Sequence, residues 1–558
     1  MASVKLCSSS SYVTRFISQN IKNHSHPSNK SKLSIYNSIS YDHPQGFSQG
    51  LHVSHEELLI RLPENLNKVR HMLRSGGDSL ESLITIDTLQ RLSIDYHFEE
   101  EIANILNSFY KNLKGIDEGR LYDVSLVFRI LRQHGFHVSS NVFKKFVNKE
   151  GRFELSPRED VRGMIELYEA SHLNMCEEGI LDEVNSFAGE QLRATMVDLE
   201  PWTSELVEHT LKHPFHLSVA RHHSEYHLNR YQRGLWRNKA LEELTAADFA
   251  IVRILHQKEM QEISRWWKDL GLAEEIRFAR DQPSEWFMWA MTMLSEPQFS
   301  RHRIELMKPI SLIYIIDDIF DVYGTLDELV LFTEAIKRWD IASMDLLPSH
   351  MKISCMALYN LTNEIAYFVY KEHRWNPIDS LRRTWEELCD TFLVEARWFA
   401  SGHIPKPEEY MKNAVISSAM HMLCVNIFFL MGEQITKESI DYLEGHPTII
   451  SSPAIILRLL DDLGKAKDGN QEGFDGSYLE CYLKENPNSS LENAKKHMKG
   501  MILDAWKRLN KECLSSPEPF SRRFVQSSLN GARVVRSMYD YDGHFPENQV
   551  NSLLYRMV

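Results

Sequence analysis

Residues 310–325 read ISLIYIIDDIFDVYGT, an apolar run that ends on three aspartates, Asp317, Asp318 and Asp321. On an α-helix Asp317 and Asp321 are four apart and share one face, with Asp318 rotated from Asp317 by about 100°. Thr325 and Glu328 form a T-x-x-E capping box after Gly324, which predicts that this helix ends near Val322 and the next begins with TLDELVLFTEAIKRW. The carboxylates therefore fall in the last turn, where the helix dipole gives negative charge no help. Like charges at this spacing repel, and burying them is costly unless a cation is present. Magnesium fits, because it binds through a few carboxylates and fills its remaining positions with substrate phosphates.

A second acidic constellation follows in AIILRLLDDLGKAKDGNQEGFDGSY, where Asp461 and Asp462 again close an apolar helical run. Arg458 lies three residues before Asp461 and shares its face. Arg280, in IRFARDQPSEW, is a further cation ahead of the first aspartates. Two aspartate-tipped apolar helices with arginines predict a cavity, apolar below and charged at the rim, suited to a hydrocarbon body with a diphosphate head. Metal ions would bridge carboxylates to phosphate, and the arginines would take the remaining oxygens.

The rest of the chain provides the setting. With 558 residues, 43% of them hydrophobic, it is too long for one core and is expected to form two domains. Periodicity is helical almost throughout, as in DSLESLITIDTLQRLSIDYHFEEEIANILNSFYKNL, LEELTAADFAIVRILHQKEMQEISRWW and SSLNGARVVRSMY. An all-α protein follows. It has no period of 34 to 45 residues, which argues against a helical-repeat binding scaffold. The motifs all lie after HQKEMQEISRWWKDLG, so the division is placed near residue 262: an N-terminal helical domain over 42–262 and a catalytic, metal-binding domain over 263–558.

Net charge is −14 without a basic stripe, which excludes nucleic acid as a natural partner. The seven cysteines form no CxxC pair, which excludes a zinc ribbon and a disulfide framework and suggests a reducing compartment. From Met1 to Ser40 there is no acid, serine recurs, and Lys5, Arg15, Lys22, Lys30 and Lys32 add positive charge. Residues 1–41 are thus expected to be a plastid transit peptide. No transmembrane run is found: AMHMLCVNIFFLM (Ala419 to Met431) is too short, carries His421 and Asn426, and reads as a buried helix.

At FARD with Glu285 and Trp289, EPQFSRHR, IIDDIFDVYGTLDELVLFTEAIKRWD, LVEARWFASGHIPKPEEYMKNA and RLLDDLG, in this order, the chain resembles plant class I terpene synthases from about residue 50 to the C-terminus. The resemblance implies an N-terminal α-barrel-like domain and a C-terminal class I terpenoid synthase α-bundle that ionises a prenyl diphosphate with Mg2+ or Mn2+. Carried over, Asp317, Asp318, Asp321 and Asp461 are metal ligands, Arg280 and Arg458 bind diphosphate, and a monomer is expected. No D-x-D-D occurs in the N-terminal half, so class II chemistry is not expected.

Three departures refine this. The family's R-D-R is here Arg280-Asp281-Gln282, and the tandem-arginine motif with a tryptophan nine residues on is absent. With the ending DGSYLECY, these resemble the subgroup making acyclic products: linalool and nerolidol, with myrcene and ocimene as relatives. In the second metal motif, the places for Ser or Thr and for Glu hold Lys465 and Gly469. Lys465 offers a metal no acceptor and Gly469 only backbone, so a weakened site, or an inactive prenyl-diphosphate binder, is a further expectation; Asp468 or Glu472 are candidate substitutes. A plastid address favours geranyl diphosphate, and a cytosolic one farnesyl diphosphate.

Trp286, Trp289 and Tyr539 are candidate aromatic stabilisers of the allylic cation, with core packing the alternative for each. His223 and His227, in HPFHLSVARHHSEYH, are a loose i, i+4 pair read as a solvated or satisfied face rather than a zinc site. Trp266 and Trp267 are read as packing at the domain interface.

Overall fold

The computed structural model describes residues 55–539, apart from 78, 114–119, 149, 151–152, 154–159, 234–237, 278, 466–475 and 515–517. The expected transit segment 1–41, Asp468, Gly469 and Glu472 lie outside the described residues. The described chain is all-α: it contains no strand, only one antiparallel bridge between Val147 and Phe153.

The first half forms α1 (His55–Gly76), α2 (Leu80–Arg91), α3 (Glu99–Lys111), α4 (Leu121–Gln133), α5 (Val161–Ser171), α6 (Gly179–Thr195), α7 (Pro201–Lys212), α8 (Ala220–Arg233) and α9 (Lys239–Leu270). The second half forms α10 (Pro283–Met293), α11 (Ser300–Asp318), α12 (Leu326–Arg338), α13 (Ser349–His373), α14 (Ile378–Ser401), α15 (Pro407–Ser417) and α16 (Met420–Met431). It closes with α17 (Lys437–Glu444), α18 (Thr448–Lys465), α19 (Tyr478–Glu485), α20 (Leu491–Cys513) and α21 (Arg522–Met538).

Two hydrophobic cores result. One gathers residues from Val69 to Leu244 with Leu514; the other gathers Leu217 and residues from Met260 to Tyr539. Residue 262 lies inside α9, an unbroken helix whose Leu241 and Leu244 enter the first core and whose Met260, Ile263 and Trp267 enter the second. The buried Asn510 side chain joins the halves: its amide donates to the carbonyls of His172 and Asn174, and its oxygen is 2.8 Å from His216 Nε2. Such buried groups must be hydrogen-bonded, and here the partners come from across the junction.

Every residue of α16 is buried, as expected for a helix apolar on all sides. It packs against α11, α14, α18 and α21 and so fixes their spacing. The stretch Pro407–Met431 is long and apolar enough to cross a membrane, but most of it is enclosed by these neighbours.

Helix α11 is buried from Leu306 to Asp318 except at Tyr314. The α-geometry stops at Asp318 rather than near Val322: Ile319–Tyr323 form a π-turn closed by the Gly324 N–H donating to the Ile319 carbonyl at 2.8 Å. Side-chain patterning carries no signal for such a turn, which recurs at functional sites. A Cβ on Gly324 would meet Leu329 Cδ2 at 2.5 Å and Met351 Cε at 2.9 Å, so glycine permits the close approach. The capping box is formed: Thr325 Oγ1 accepts from Glu328 N, and Glu328 Oε2 accepts from Thr325 N at 2.9 Å.

The EPQFSRHR segment contributes a clasp rather than a site residue. The Arg303 side chain is fully buried, donates to Glu259 Oε1 and Oε2 at 2.6 and 2.9 Å, and donates to the Leu294 and Glu296 carbonyls at 2.7 Å. It ties the end of α10 to α9. Arg303→Met leaves Glu259 buried and unpaired, and is expected to cost about 3–5 kcal/mol. Arg301→Met, at a largely exposed position 3.6 Å from Glu372, should change stability by less than about 1 kcal/mol. Thermal unfolding of the two variants checks the contrast.

Candidate active site

The α11 wall carries the first acidic group. Asp317 is completely buried, and Asp318 and Asp321 nearly so. Arg280 answers much of this charge: Nη2 donates to Asp317 Oδ2 at 2.5 Å, Nε lies 2.8 Å from Asp318 Oδ1, and its backbone N–H donates to Asp318 Oδ2 at 3.0 Å. Nη2 also donates to the Tyr314 carbonyl, and the guanidinium sits 4.9 Å from that ring's centre. The cation that the helix end cannot supply thus arrives from the loop before α10. Burial lowers the Arg280 pKa, but Asp317 and Asp318 outweigh it and raise it above the ordinary value.

The α18 wall carries the second group, and its neighbouring aspartates differ in surroundings. Asp462 accepts from Tyr410 Oη at 2.7 Å and from the Tyr478 N–H at 2.9 Å, with Arg458 Nε 3.5 Å away. Asp461 lines the cavity and accepts from Tyr539 Oη at 2.9 Å. Arg458 donates from Nε to Tyr410 Oη at 2.5 Å and lies 3.8 Å from Glu395. Glu395 in turn accepts from Asn413 and Ser417 at 3.0 and 2.6 Å. Glu395, Tyr410 and Asn413 all belong to LVEARWFASGHIPKPEEYMKNA, to which the sequence reading assigned no role. Lys465 is the last residue of α18, one turn beyond Asp461.

Between these walls lies a cavity of about 710 Å3, including its open mouth. Apolar walls come from Ile310, Ile313, Ala419, Leu423, Leu457 and Met538, and the charged residues among the described lining are Arg458 and Asp461. Trp289, Tyr314 and Tyr539 present rings to it, and Trp289 Nε1 donates to Tyr314 Oη at 3.0 Å. Trp286 does not line it. It stands behind Tyr314 at 5.9 Å and meets Trp267 edge-on at 5.1 Å, so it is a core residue.

Trp267 also departs from expectation. It lies in the second core and donates Nε1 to Asp281 at 2.9 Å, which supports the Arg280 loop rather than an interface between the two cores. His223 and His227 sit in a ring cluster with His209, His213 and Tyr226, with His209 stacked on Tyr226 at 3.7 Å. Burial pushes both His223 and His227 well below the ordinary range, so they are packed neutral rings.

The donor set suits a hard divalent cation. Asp317, Asp318 and Asp321 on one wall and Asp461 on the other are buried carboxylates, of which Asp461 alone lines the described cavity, whereas Arg280 and Arg458 bring two charges, one of them already shared with Asp462 and Glu395. Burial raises the Asp318 pKa, with Arg280 pulling it down and Asp317 raising it further, as expected of carboxylates crowded beyond their cations. Oxygen-only donors of this kind are what Mg2+ takes.

Residues 268–508 match the metal binding domain of the terpene synthase family, and residues 37–211 match the terpene synthase N-terminal domain. The chain is 47% identical over 522 residues to a probable terpene synthase 13 of Ricinus communis, covering 92% of this chain and 90% of that one. It is 45% identical over 491 residues to an (E)-nerolidol synthase of Cannabis sativa, covering 86% and 88%. It is 40% identical over 537 residues to a chloroplastic S-(+)-linalool synthase of Arabidopsis thaliana, covering 95% and 93%. Isoprene synthase from grey poplar leaves (Populus x canescens), solved with three Mg2+ ions and dimethylallyl-S-thiolodiphosphate, superimposes with a TM-score of 0.84 at 34% identity, covering 90% of this chain and 98% of that one.

Glu285, on the first turn of α10, makes the site's neighbourhood sensitive to pH. Burial pushes its carboxyl up to about 7, and Arg280 pulls it only partly back. A raised carboxyl contributes stability that is fully present below its unfolded value and is lost as pH rises through about 7. Glu285→Gln stays neutral, so its melting temperature relative to wild type should climb between about pH 4.5 and 7 and level off above that. Scanning fluorimetry across that range tests this, and a constant difference would refute it.

Proposed function

The chain belongs to the terpene synthase family, lyases that act on prenyl diphosphates, and from that premise we propose that it converts geranyl diphosphate to the acyclic alcohol linalool, and farnesyl diphosphate to nerolidol. The observation that carries the reading is one cavity with apolar walls, bounded by a helix that runs on into Asp317 and a helix bearing Arg458 and Asp461. The linalool and nerolidol synthases among the relatives support the product class. The acid-free N-terminus and the chloroplastic relative support a plastid address.

In this reading Asp317, Asp321 and Asp461, with Asp318, would hold Mg2+ or Mn2+; isoprene synthase from grey poplar, which the chain resembles, was solved with three Mg2+ ions. When bound, the ions supply positive charge to the diphosphate oxygens as the allylic C–O bond breaks. Arg280 and Arg458 bind the same group through guanidinium N–H donors. Tyr410 and Glu395 hold Arg458 at its angle, and Tyr539 orients Asp461. Trp289, Tyr314 and Tyr539 offer ring faces to the prenyl cation, while Ile310, Ile313 and Leu423 exclude most water. Water at the tertiary carbon then gives the alcohol; proton loss instead gives myrcene or ocimene. The division near residue 262 separates an N-terminal scaffold from the domain holding every site residue.

Incubating the chain from residue 42 onward with each diphosphate and Mg2+, and identifying volatiles by mass spectrometry, should return linalool and nerolidol. A cyclic product, or an olefin alone, would overturn the product assignment. Asp317→Asn and Asp461→Asn should each lower kcat by roughly 100-fold or more, on the scale of losing one preorganised electrostatic group.

Lys465 and Gly469 favour a slow enzyme, since neither side chain can complete a metal site. The double variant Lys465→Ser, Gly469→Glu should therefore raise turnover in the same assay. Unchanged turnover would remove these positions from the explanation.

A further inference from the structure

Apart from the chemistry described above, three side chains from separate segments converge: Glu387 on α14, His421 on α16 and His446 in the connection between α17 and α18. Glu387 Oε2 lies 3.3 Å from both His421 Nδ1 and His446 Nε2. His421 Nε2 is 3.2 Å from the Leu443 carbonyl, which can only accept, so that nitrogen carries the proton. In neutral His421 the opposite nitrogen, Nδ1, is then a bare lone pair aimed at a carboxylate oxygen. Two acceptors face each other. No hydrogen-bond donor is aligned on Glu387 Oε2, which is itself buried. Either a proton or a metal ion must lie between these atoms.

The spacing admits a metal ion. Ligand atoms about 2.0–2.2 Å from a tetrahedral zinc ion stand about 3.3–3.5 Å from one another, which matches both contacts. The Leu443 carbonyl is the outer partner that fixes a ligating imidazole's tautomer. His446 adopts a left-handed backbone (φ 52°), uncommon for a non-glycine residue, and its ring lies 3.9 Å from that of His421. Glu444, two residues earlier, accepts from Ser380 Oγ at 2.8 Å and pairs with Arg383, which anchors this corner to α14.

We propose that Glu387, His421 and His446 form a zinc site, separate from the aspartate site, that staples α14, α16 and the α17–α18 connection behind the cavity. Two imidazoles and one carboxylate form a donor set that suits Zn2+ better than Mg2+, with water at the fourth position. Partial exposure of Glu387 and His446, 26% and 24%, gives the ion a way in. His421 sits between Ala419 and Leu423, which line the cavity, so the ion would stiffen that wall without touching substrate.

The test uses purified chain from residue 42 onward, stripped by chelator, dialysed against excess Mg2+ and titrated with ZnCl2 by calorimetry, with bound metal counted by mass spectrometry. One Zn2+ per chain and a melting temperature raised by Zn2+ are expected. His446→Ala, at a partly exposed position, should keep its metal-free melting temperature yet bind Zn2+ at least tenfold more weakly, and so should Glu387→Gln. Asp317→Asn, and His209→Ala in the other histidine cluster, should leave this affinity unchanged. Absence of Zn2+ binding, or binding lost in Asp317→Asn or His209→Ala but retained in His446→Ala, would overturn the proposal.

Discussion

The second half of the chain carries one dominant electrostatic constraint, the burial of Asp317 and Asp318 against an apolar helix. A carboxylate in that position is costly unless a cation compensates. Arg280 meets the need through three contacts, two from its guanidinium and one from its backbone N–H. The arginine is itself held in place, because its neighbour Asp281 accepts from the core residue Trp267 and the guanidinium rests against Tyr314. The loop before α10 is therefore tied to the same aspartates that would meet the substrate's diphosphate.

The opposite wall solves the same problem differently. Adjacent residues on a helix point about 100° apart, so one of two consecutive aspartates faces the cavity and the other faces the protein. Asp462 turns inward, where Tyr410, the Tyr478 backbone and Arg458 surround it. Asp461 turns outward and meets Tyr539. The inward residue thereby fixes the rotation of α18, and with it the aim of the outward one. Helix α16, buried at every residue, sets the distance between the walls.

Much of this was legible beforehand because the signals are local. The apolar runs, the capping box at Thr325 and the buried stretch from Ala419 to Met431 each depend on neighbours a few residues away. What was not legible depends on contacts across the fold. Arg303 reads as one more basic residue in EPQFSRHR until Glu259, 44 residues earlier, is placed against it. Tyr410 and Glu395 gain meaning only once α15 and α14 meet α18 at Arg458. Trp286 and Trp289 share a helix and a composition, yet a rotation of three residues puts one in the core and the other on the cavity. The π-turn at Ile319–Tyr323 leaves no mark in hydrophobic periodicity. Glu387, His421 and His446 follow no recognisable spacing, because three separate segments bring them together.

The two walls also differ in what a substitution can remove. On α11 the neighbouring aspartates share one arginine, so losing either carboxylate leaves Arg280 with a buried partner still in reach. On α18 the roles are divided: Asp462 belongs to a buried network with Tyr410 and Arg458, whereas Asp461 accepts from Tyr539 at the cavity. The supporting framework of the second motif is thus complete as far as Asp461. The unusual residues begin one turn later, at Lys465, where α18 ends. Maintaining that network costs desolvation of several charged groups, which packed apolar residues would avoid. The buried network that holds Asp462 and supports Asp461 thus ends one turn before Lys465, the last residue of α18.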